Sequence, residues 1–442
     1  MRILMLAQFY PPVIGGEERH VRDLAMILAR RGHFVGVATV WREGLPEREV
    51  DEGVHVFRIS GLTQKWRGLF SDASRTHVPP FPDPGLVAAL QSVIAAERID
   101  VVHAHNWLLH SFLPLKRADG PRLVVTLHDL SLTCATKSAI WRGEACCGPG
   151  LAKCGPCAAS HYGAAKGSVT LAGNWLASHF ERRLVDRFLP VSNAIAVGSK
   201  LPGGPTPYEV VPNFVRDDIA TLNGEADKRL EQLPRQPFIL FVGDLRRFKG
   251  VHVLIEAYAG LVGVPPLVLI GRKCFDTPTE WPKNVHVFHD WPHAAVMHAW
   301  SRSLAGVLPS VGPEACATVL MEAMASGKPA ITSTAGGNPD IVEDNVSGLL
   351  VQPGDAHGLA RAIRTLVADE PLRRRLAAGA LRRAATFKAS NVVPRIEAVY
   401  RDVLDRKRPA AATVDRFASD SLAAGRIPLK SETKFSRNWG QG

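Results

Sequence analysis

Glu314 and Glu322 stand with seven residues between them in "GPEACATVLMEAMASGKPAIT", residues 312–332. The strand-like "LAGVLPS" precedes this stretch and "KPAIT" ends it. Glu314 is therefore expected in a strand-to-helix loop and Glu322 within a helix over about 317–326. Ala315, Cys316 and Ala317 are small and leave the start of that helix open. Its free N–H groups suit a phosphate. A carboxylate beside it can accept hydrogen bonds from sugar hydroxyls. Glu322 sits among Leu320, Met321, Ala323 and Met324, where a carboxylate needs a partner. The plainer reading of Glu322 is a surface glutamate on an amphipathic helix.

A second chemical cluster is "GDLRRFKG", residues 243–250, which follows the strand "FILFV". Arg246, Arg247 and Lys249 could neutralise a diphosphate there, in the crevice position of a doubly wound fold. The alternative is a basic turn in solvent. Gly15 and Gly16 follow the first strand. They let a backbone approach a ligand, or they simply turn the chain. Neither segment is a nucleotide-binding loop of the P-loop or three-glycine type. Four cysteines, Cys134, Cys147, Cys154 and Cys157, include one CxxC pair. A structural zinc, a local disulfide and reduced thiols all remain open for them.

These groups need a scaffold. "RILMLAQF", a helix over about 17–31 and "HFVGVATVW" form a strand–helix–strand opening. Further strands read as "GVHVFRI", "DVVHAH" and "RLVVTLHD", with helices over about 85–96 and 164–187. Residues 61–82 read as a surface loop. The polar stretch 217–236 reads as a connection between domains. The pattern then restarts with "FILFVGDL", a helix over 251–260, "PLVLIG", "NVHVFHDW", "LAGVLPS", "PAITST" and "SGLLVQP". Helices are expected near 293–300 and 356–368, and residues 391–406 look helical. Two α/β domains of similar size follow, with a cleft between them as the ligand site.

Composition agrees. A chain 46% hydrophobic and 21% charged can build globular cores, and 442 residues suffice for two or three domains. A net charge of +11 favours anionic partners, whether a phosphorylated small molecule or an anionic membrane surface. No zinc-finger spacing or basic–aromatic signature points to nucleic acid, so no nucleic-acid partner is expected. The first apolar run is too short for a signal peptide, and no stretch has eighteen uninterrupted apolar residues. A cytoplasmic location is expected, with peripheral contact at the inner face of a membrane. The basic helix "RHVRDLAMILARRGH" would mediate that contact, unless it is only a solvated face.

"PSVGPEACATVLMEAMASGKPAI" resembles the signature of the retaining GT4 glycosyltransferases, a family of the GT-B fold. "YPPVIGGEERHVRDLA", "VVTLHDL", "VVPNFV", "FVGDLRRFKG" and "STAGGNPDIVEDNVSGLLVQPGD" match in the family's order. Together they cover roughly residues 1–400. The resemblance implies two Rossmann-like doubly wound domains facing a central cleft. Residues 1–215 would bind acceptor and carry a Cys-rich insertion at 134–161. Residues 216–390 would bind the nucleotide sugar, and 391–406 would cross back to the first domain. Residues 407–442 would be a mobile or surface-draped tail.

Further implications concern single residues. Glu322 would hold the ribose hydroxyls, Glu314 would lie beside the transferred sugar, and Lys249 would neutralise the diphosphate. His128 would wall the cleft near the reaction centre. Gly15 and Gly16 would form a phosphate-side loop, and Gly336, Gly337 and Asn338 a second loop near the donor. The donor would be a nucleoside diphosphate sugar, UDP- or GDP-linked, with no cofactor required for catalysis. The acceptor would be a saccharide, a lipid-linked saccharide or a small natural product. Two departures stand out. Asp244 takes the place of the family's usual arginine, leaving Arg246 or Arg247 to compensate, and "EACA" replaces a glycine-rich "EGFG". A sugar-nucleotide epimerase of similar architecture and a non-catalytic nucleotide-sugar-binding protein are the competing readings.

Overall fold

The computed structural model describes residues 1–406 apart from 14, 66–76, 143 and 223–226. The expected C-terminal tail and much of the expected 61–82 loop fall outside the described residues. The apolar run RILML forms β1 (Arg2–Leu6), in which Ile3 to Leu6 are fully buried. A strand covered on both faces needs such a run. In α1 (Gly16–Arg30), Val21, Leu24 and Leu28 make the buried stripe. Next come β2 (Phe34–Val40), β3 (Arg48–Asp51), β4 (Val54–Ile59), α2 (Pro84–Glu97), β5 (Val101–Ala104), α3 (Leu108–Phe112) and β6 (Arg122–Leu127). A two-residue hairpin of β7 (Ile140–Trp141) and β8 (Glu144–Ala145) leads to α4 (Leu151–Tyr162), α5 (Ala164–Leu184), β9 (Arg187–Pro190) and α6 (Asn193–Gly198).

The first sheet runs β3-β4-β2-β1-β5-β6-β9. It is parallel except where β3 pairs antiparallel with β4. The chain leaves β1 toward β2 on one side and later places β5 on the other, with Ile3 opposite both Val35 and Val101. That makes β1/β5 a topological switch point, where adjacent connections diverge and open a crevice.

The second half repeats the arrangement. It contains β10 (Ile239–Val242), α7 (Val251–Ala259), β11 (Leu267–Ile270), β12 (Val285–Phe288), α8 (His293–Arg302), β13 (Ala305–Leu308), α9 (Thr318–Ala325), β14 (Ala330–Ser333), α10 (Asn338–Ile341), β15 (Gly348–Val351), α11 (Ala356–Ala368) and α12 (Glu370–Ala385). The parallel sheet runs β12-β11-β10-β13-β14-β15. Its switch point is β10/β13. The expected double Rossmann-like architecture is what the chain forms.

Two helices carry no clear helical signal in the sequence. Helix α4 occupies the Cys-rich stretch, with Pro156 inside it; Gly155-Pro156 reads as a turn, yet α4 packs along α5. Helix α12 is an arginine- and alanine-rich segment with a weak apolar pattern. It is held by packing on α9.

The last described helix, α13 (Ala389–Asp405), returns to the first sheet. Val392, Val393, Ile396, Val399, Tyr400 and Val403 share one core with Ile3, Met5, Leu24 and Leu28. Glu397 accepts Arg31 Nε and Nη2 at 2.8 Å each and meets His33 Nε2 at 2.9 Å. The guanidinium pulls the Glu397 pKa down to about 2. Tyr400 Oη lies 2.7 Å from His103 Nδ1 inside the core. Replacing Tyr400 by Phe keeps the ring and strands that imidazole nitrogen. We expect Tyr400→Phe to cost about 1–3 kcal/mol in denaturant unfolding; an unchanged midpoint would mean that the Tyr400–His103 contact does not help anchor α13.

Candidate active site

Most chemistry-bearing residues fall after strand C-termini, at or next to the two switch points. Gly15 and Gly16 follow β1, His105 follows β5 and His128 follows β6. Asp244 and Lys249 follow β10, Arg272 follows β11 and Glu314 follows β13. A cleft of about 890 Å³ joins them. Its lining includes Gly15, Gly16, His128, Lys249, Glu314 and Glu322.

Lys249 donates to both oxygens of Glu314, at 2.8 and 2.9 Å. Ser310 Oγ adds a third donor at 2.6 Å. Glu314 is only 6% exposed, so these donors offset the cost of burying it. The turn that carries Lys249 depends on Gly250, whose φ is +74°. A Cβ there would come within 1.8 Å of the Pro309 carbonyl. Glu322, in α9, is 5% exposed. Its Oε1 meets His293 Nε2 at 2.9 Å and Arg19 Nη1, from α1, at 3.7 Å. The apolar neighbours noted in the sequence thus do coincide with a paired, buried carboxylate. Asn213 Nδ2 donates to the Cys316 carbonyl at 3.3 Å, tying the first half to the start of α9.

Other expected positions lie elsewhere. Arg246 faces Asp276 at 3.5 Å and covers the Phe275 ring, while the Arg247 backbone N–H donates to Asp276. Neither is among the cleft-lining residues. With Lys249 and Arg19, the cation that lines the cleft is Arg272, held at 2.8 Å by Asp244, in place of Arg246 and Arg247. The carboxylate at 244 therefore positions an arginine from the neighbouring strand. Arg272 was missed in the sequence, although "LVLIGRK" places a cation just after a buried strand. Gly336 and Gly337 stand behind the cleft. A Cβ on Gly336 would lie 2.1 Å from the Glu314 carbonyl, and one on Gly337 would lie 2.2 Å from that of Ala315. Gly337 N–H donates to the Glu314 carbonyl at 2.7 Å. Asn338 is fully buried, and both of its amide atoms lack a protein partner. Gly336 and Gly337 thus brace the 314–315 backbone, and none of the three residues lines the cleft.

The opposite wall holds imidazoles. His105 Nδ1 lies 3.0 Å from His128 Nε2, and His20 and His103 pack against this pair. Burial lowers all four: His128 to about 4, His103 to about 3, and His20 and His105 well below 6.5. One ligand nitrogen from each of His20, His105 and His128 lies within 4.8 Å of the others, the one such grouping among the described residues. This triad could take a metal ion only by giving up the His105–His128 contact. Glu17, in the same cleft, accepts Asn106 Nδ2 at 2.7 Å. Burial pushes its pKa up to about 8, with Asp129 and Glu18 adding to the rise. Spacing gave no signal for Glu17.

All seven cysteines are free thiols. Cys134 contacts Thr136 Oγ1 at 3.3 Å, Cys147 takes Lys153 Nζ at 2.9 Å, and Cys157 faces the Ile140 carbonyl at 3.8 Å. Cys154 accepts the Gly150 N–H at 3.3 Å. Burial raises the Cys157 thiol pKa, and Cys134, Cys154 and Cys146 nearby add to the rise; these cysteines and Cys147 line one cavity.

Unfolded histidines take up protons below about pH 6.5, whereas this cluster stays neutral. Stability should therefore fall with acidification, by about 1.4 kcal/mol per pH unit for each imidazole. For His128 the loss should begin near 6.5 and end near 4. Unfolding free energies measured against pH should show one proton less of slope in that window for His128→Asn. An identical slope would contradict the buried neutral imidazole.

Two family models match the chain: "Glycosyltransferase Family 4" over residues 14–219 and "Glycosyl transferases group 1" over residues 224–383. D-inositol 3-phosphate glycosyltransferase 1 of Catenulispora acidiphila is 30% identical, over 70% of this chain and 74% of that protein. A glycogen synthase of Mycobacterium tuberculosis is 28% identical, over 87% and 90%. Sucrose-phosphate synthase from Thermosynechococcus elongatus superposes with a TM-score of 0.69 at 20% identity, covering 91% of this chain and 98% of that one. The Anabaena HepE protein in complex with UDP-glucose gives 0.63 at 19% identity, covering 91% and 100%. With its paired sheets and central cleft, the chain belongs to the GT-B glycosyltransferases of the GT4 kind, enzymes that move a sugar from a nucleoside diphosphate sugar to an acceptor.

Proposed function

We propose that the cleft holds the donor with its diphosphate between Lys249, Arg272 and the N-terminus of α9, and its ribose at Glu322. The observation that carries this reading is the meeting of Lys249, Arg272, Glu314 and Glu322 in one cleft with His128. Breaking the bond between anomeric carbon and phosphate puts negative charge on the leaving diphosphate. Two cations and the free N–H groups at the start of α9 stabilise that charge where it develops. Both protein contacts of Glu322 fall on Oε1, which leaves Oε2 to accept ribose hydroxyls. Glu314 sits beside the transferred sugar and sets the direction of Lys249.

His128 is neutral near pH 7, so it serves as a hydrogen-bonding group and not as a cation. With the proton on His105 Nδ1 directed at His128 Nε2, His128 carries its own proton on Nδ1. In that tautomer it can donate to a sugar hydroxyl. The acceptor attacks from the face that the diphosphate leaves, and the leaving phosphate helps take its proton; configuration is retained. Closing the cleft limits loss of donor to water. UDP- or GDP-linked donors fit this reading. The acceptor is a saccharide, a lipid-linked saccharide or a small natural product that approaches along the first domain.

Turnover of the donor tests these roles. Lys249→Ala should lower it about 10²–10³-fold, as loss of a group facing the developing charge does elsewhere. Arg272→Ala should act in the same direction. Arg246→Ala should stay within about twofold, as expected for an ion pair at the surface. Glu322→Gln should weaken nucleotide binding by about 1–3 kcal/mol. If Lys249→Ala turned over donor like the wild type, the diphosphate would lie elsewhere.

A further inference from the structure

Helix α5 is built inside out. Its buried positions are Gly167, Thr170, Asn174, Ala177 and Glu181, which are small or polar. Its large apolar side chains point the other way. Val169 is 56% exposed, Trp175 71%, Leu176 53% and Phe180 46%. With 3.6 residues per turn, Val169, Leu176 and Phe180 fall along one outer strip, and Trp175 projects from the same outer side about 100° around the helix from Leu176. A solvated helix normally carries the opposite pattern.

The charge around this face is predominantly basic, with Glu144 of β8 an exposed acid beside Arg142. Lys166 and Arg183 are exposed near the two ends of α5, with Lys200 and Arg142 exposed on neighbouring segments. The one acid on α5, Glu181, is buried and bound to His110 Nε2 at 2.7 Å. A cavity of about 580 Å³ opens next to the strip. Trp141, Leu171, Trp175 and Val197 line it, with Arg182 and Lys200. Val197 is itself 66% exposed and extends the apolar surface.

The basic face of α1, expected from the sequence to meet a membrane, is occupied otherwise. Arg19 pairs with Glu322, Arg22 with Asp51, Arg30 with Glu52 and Arg31 with Glu397. Each of these cations already has a carboxylate. No helix of the described residues is long and apolar enough to cross a membrane.

We infer that α5 lies in the interface of an anionic lipid membrane, with Val169, Trp175, Leu176 and Phe180 among the acyl-chain boundary and the flanking cations at the headgroups. An apolar strip bordered by lysine and arginine is what such an interface accepts. A protein partner would be expected to answer this ring of cations with carboxylates, whereas an anionic bilayer presents both properties as one surface. Among the acceptors proposed above, the inference rests on the lipid-linked saccharide and supplies the surface that would bring the enzyme to it.

The test is co-sedimentation of the full chain with vesicles of phosphatidylcholine alone or mixed with phosphatidylglycerol. Binding is expected to the mixed vesicles, weaker in high salt. Trp175→Glu and Phe180→Glu should each reduce it by about tenfold or more. Both side chains are exposed, so the melting midpoint and donor turnover without vesicles should stay unchanged. Retained turnover with lost vesicle binding separates this inference from the assignment of the cleft. Vesicle binding that survives both substitutions would overturn it. So would a failure to bind, or a concentration-dependent dimer that the same substitutions abolish.

Discussion

Burying a carboxylate costs roughly several kcal/mol unless donors replace the water it loses. Glu314 and Glu322 are 6% and 5% exposed, so each demands partners. That demand organises the cleft. Glu314 takes Lys249 and Ser310, which ties the turn after β10 to the loop after β13. Glu322 takes His293 from α8 and Arg19 from the opposite domain. A donor entering the cleft would meet charges already oriented. Preorganisation of this kind is what makes electrostatic stabilisation effective in a site partly shielded from water.

The topology explains why these groups meet. Each sheet reverses its strand order once, at β1/β5 and at β10/β13. Loops after those strands diverge and leave a crevice. Gly15, Gly16 and His105 come from one crevice; Lys249 and Glu314 come from the other. Behind the second, Gly336 supports the Glu314 backbone at a distance that no side chain could tolerate. Helix α13 ties the far segment of the chain to the first core through apolar contacts, the Glu397 ion pairs and the Tyr400–His103 contact.

Much of this was legible in the sequence, because apolar runs and small-residue turns mark buried parallel strands and their crossovers. The strand–helix alternation, the cleft and the paired carboxylates were read directly. Other features depend on partners distant in sequence. Arg246 and Arg247 sit beside Lys249, but Asp276 and Phe275 draw Arg246 aside. Arg272 takes its place in the cleft because Asp244, one strand away, binds it. No local spacing encodes that pair. The rise at Glu17 comes from burial, with Asp129 and Glu18 adding to it against the Asn106 hydrogen bond, also invisible in a linear reading. The apolar residues of α5 were visible as residues; that they face outward is a property of the packing.

The exchange at position 244 is the sharpest feature of the site. A carboxylate placed beside a diphosphate would repel it, but a carboxylate that aims Arg272 would not. The account therefore stands or falls on whether this cleft still binds a nucleoside diphosphate. The direct measurement is the thermal midpoint of the purified protein against UDP, GDP, ADP, dTDP and their sugars, since a ligand that binds only the folded state raises the midpoint. The account predicts a rise with one nucleotide family that Asp244→Ala and Arg272→Ala both diminish. No rise with any of them, or a rise that Asp244→Ala enlarges, would contradict it.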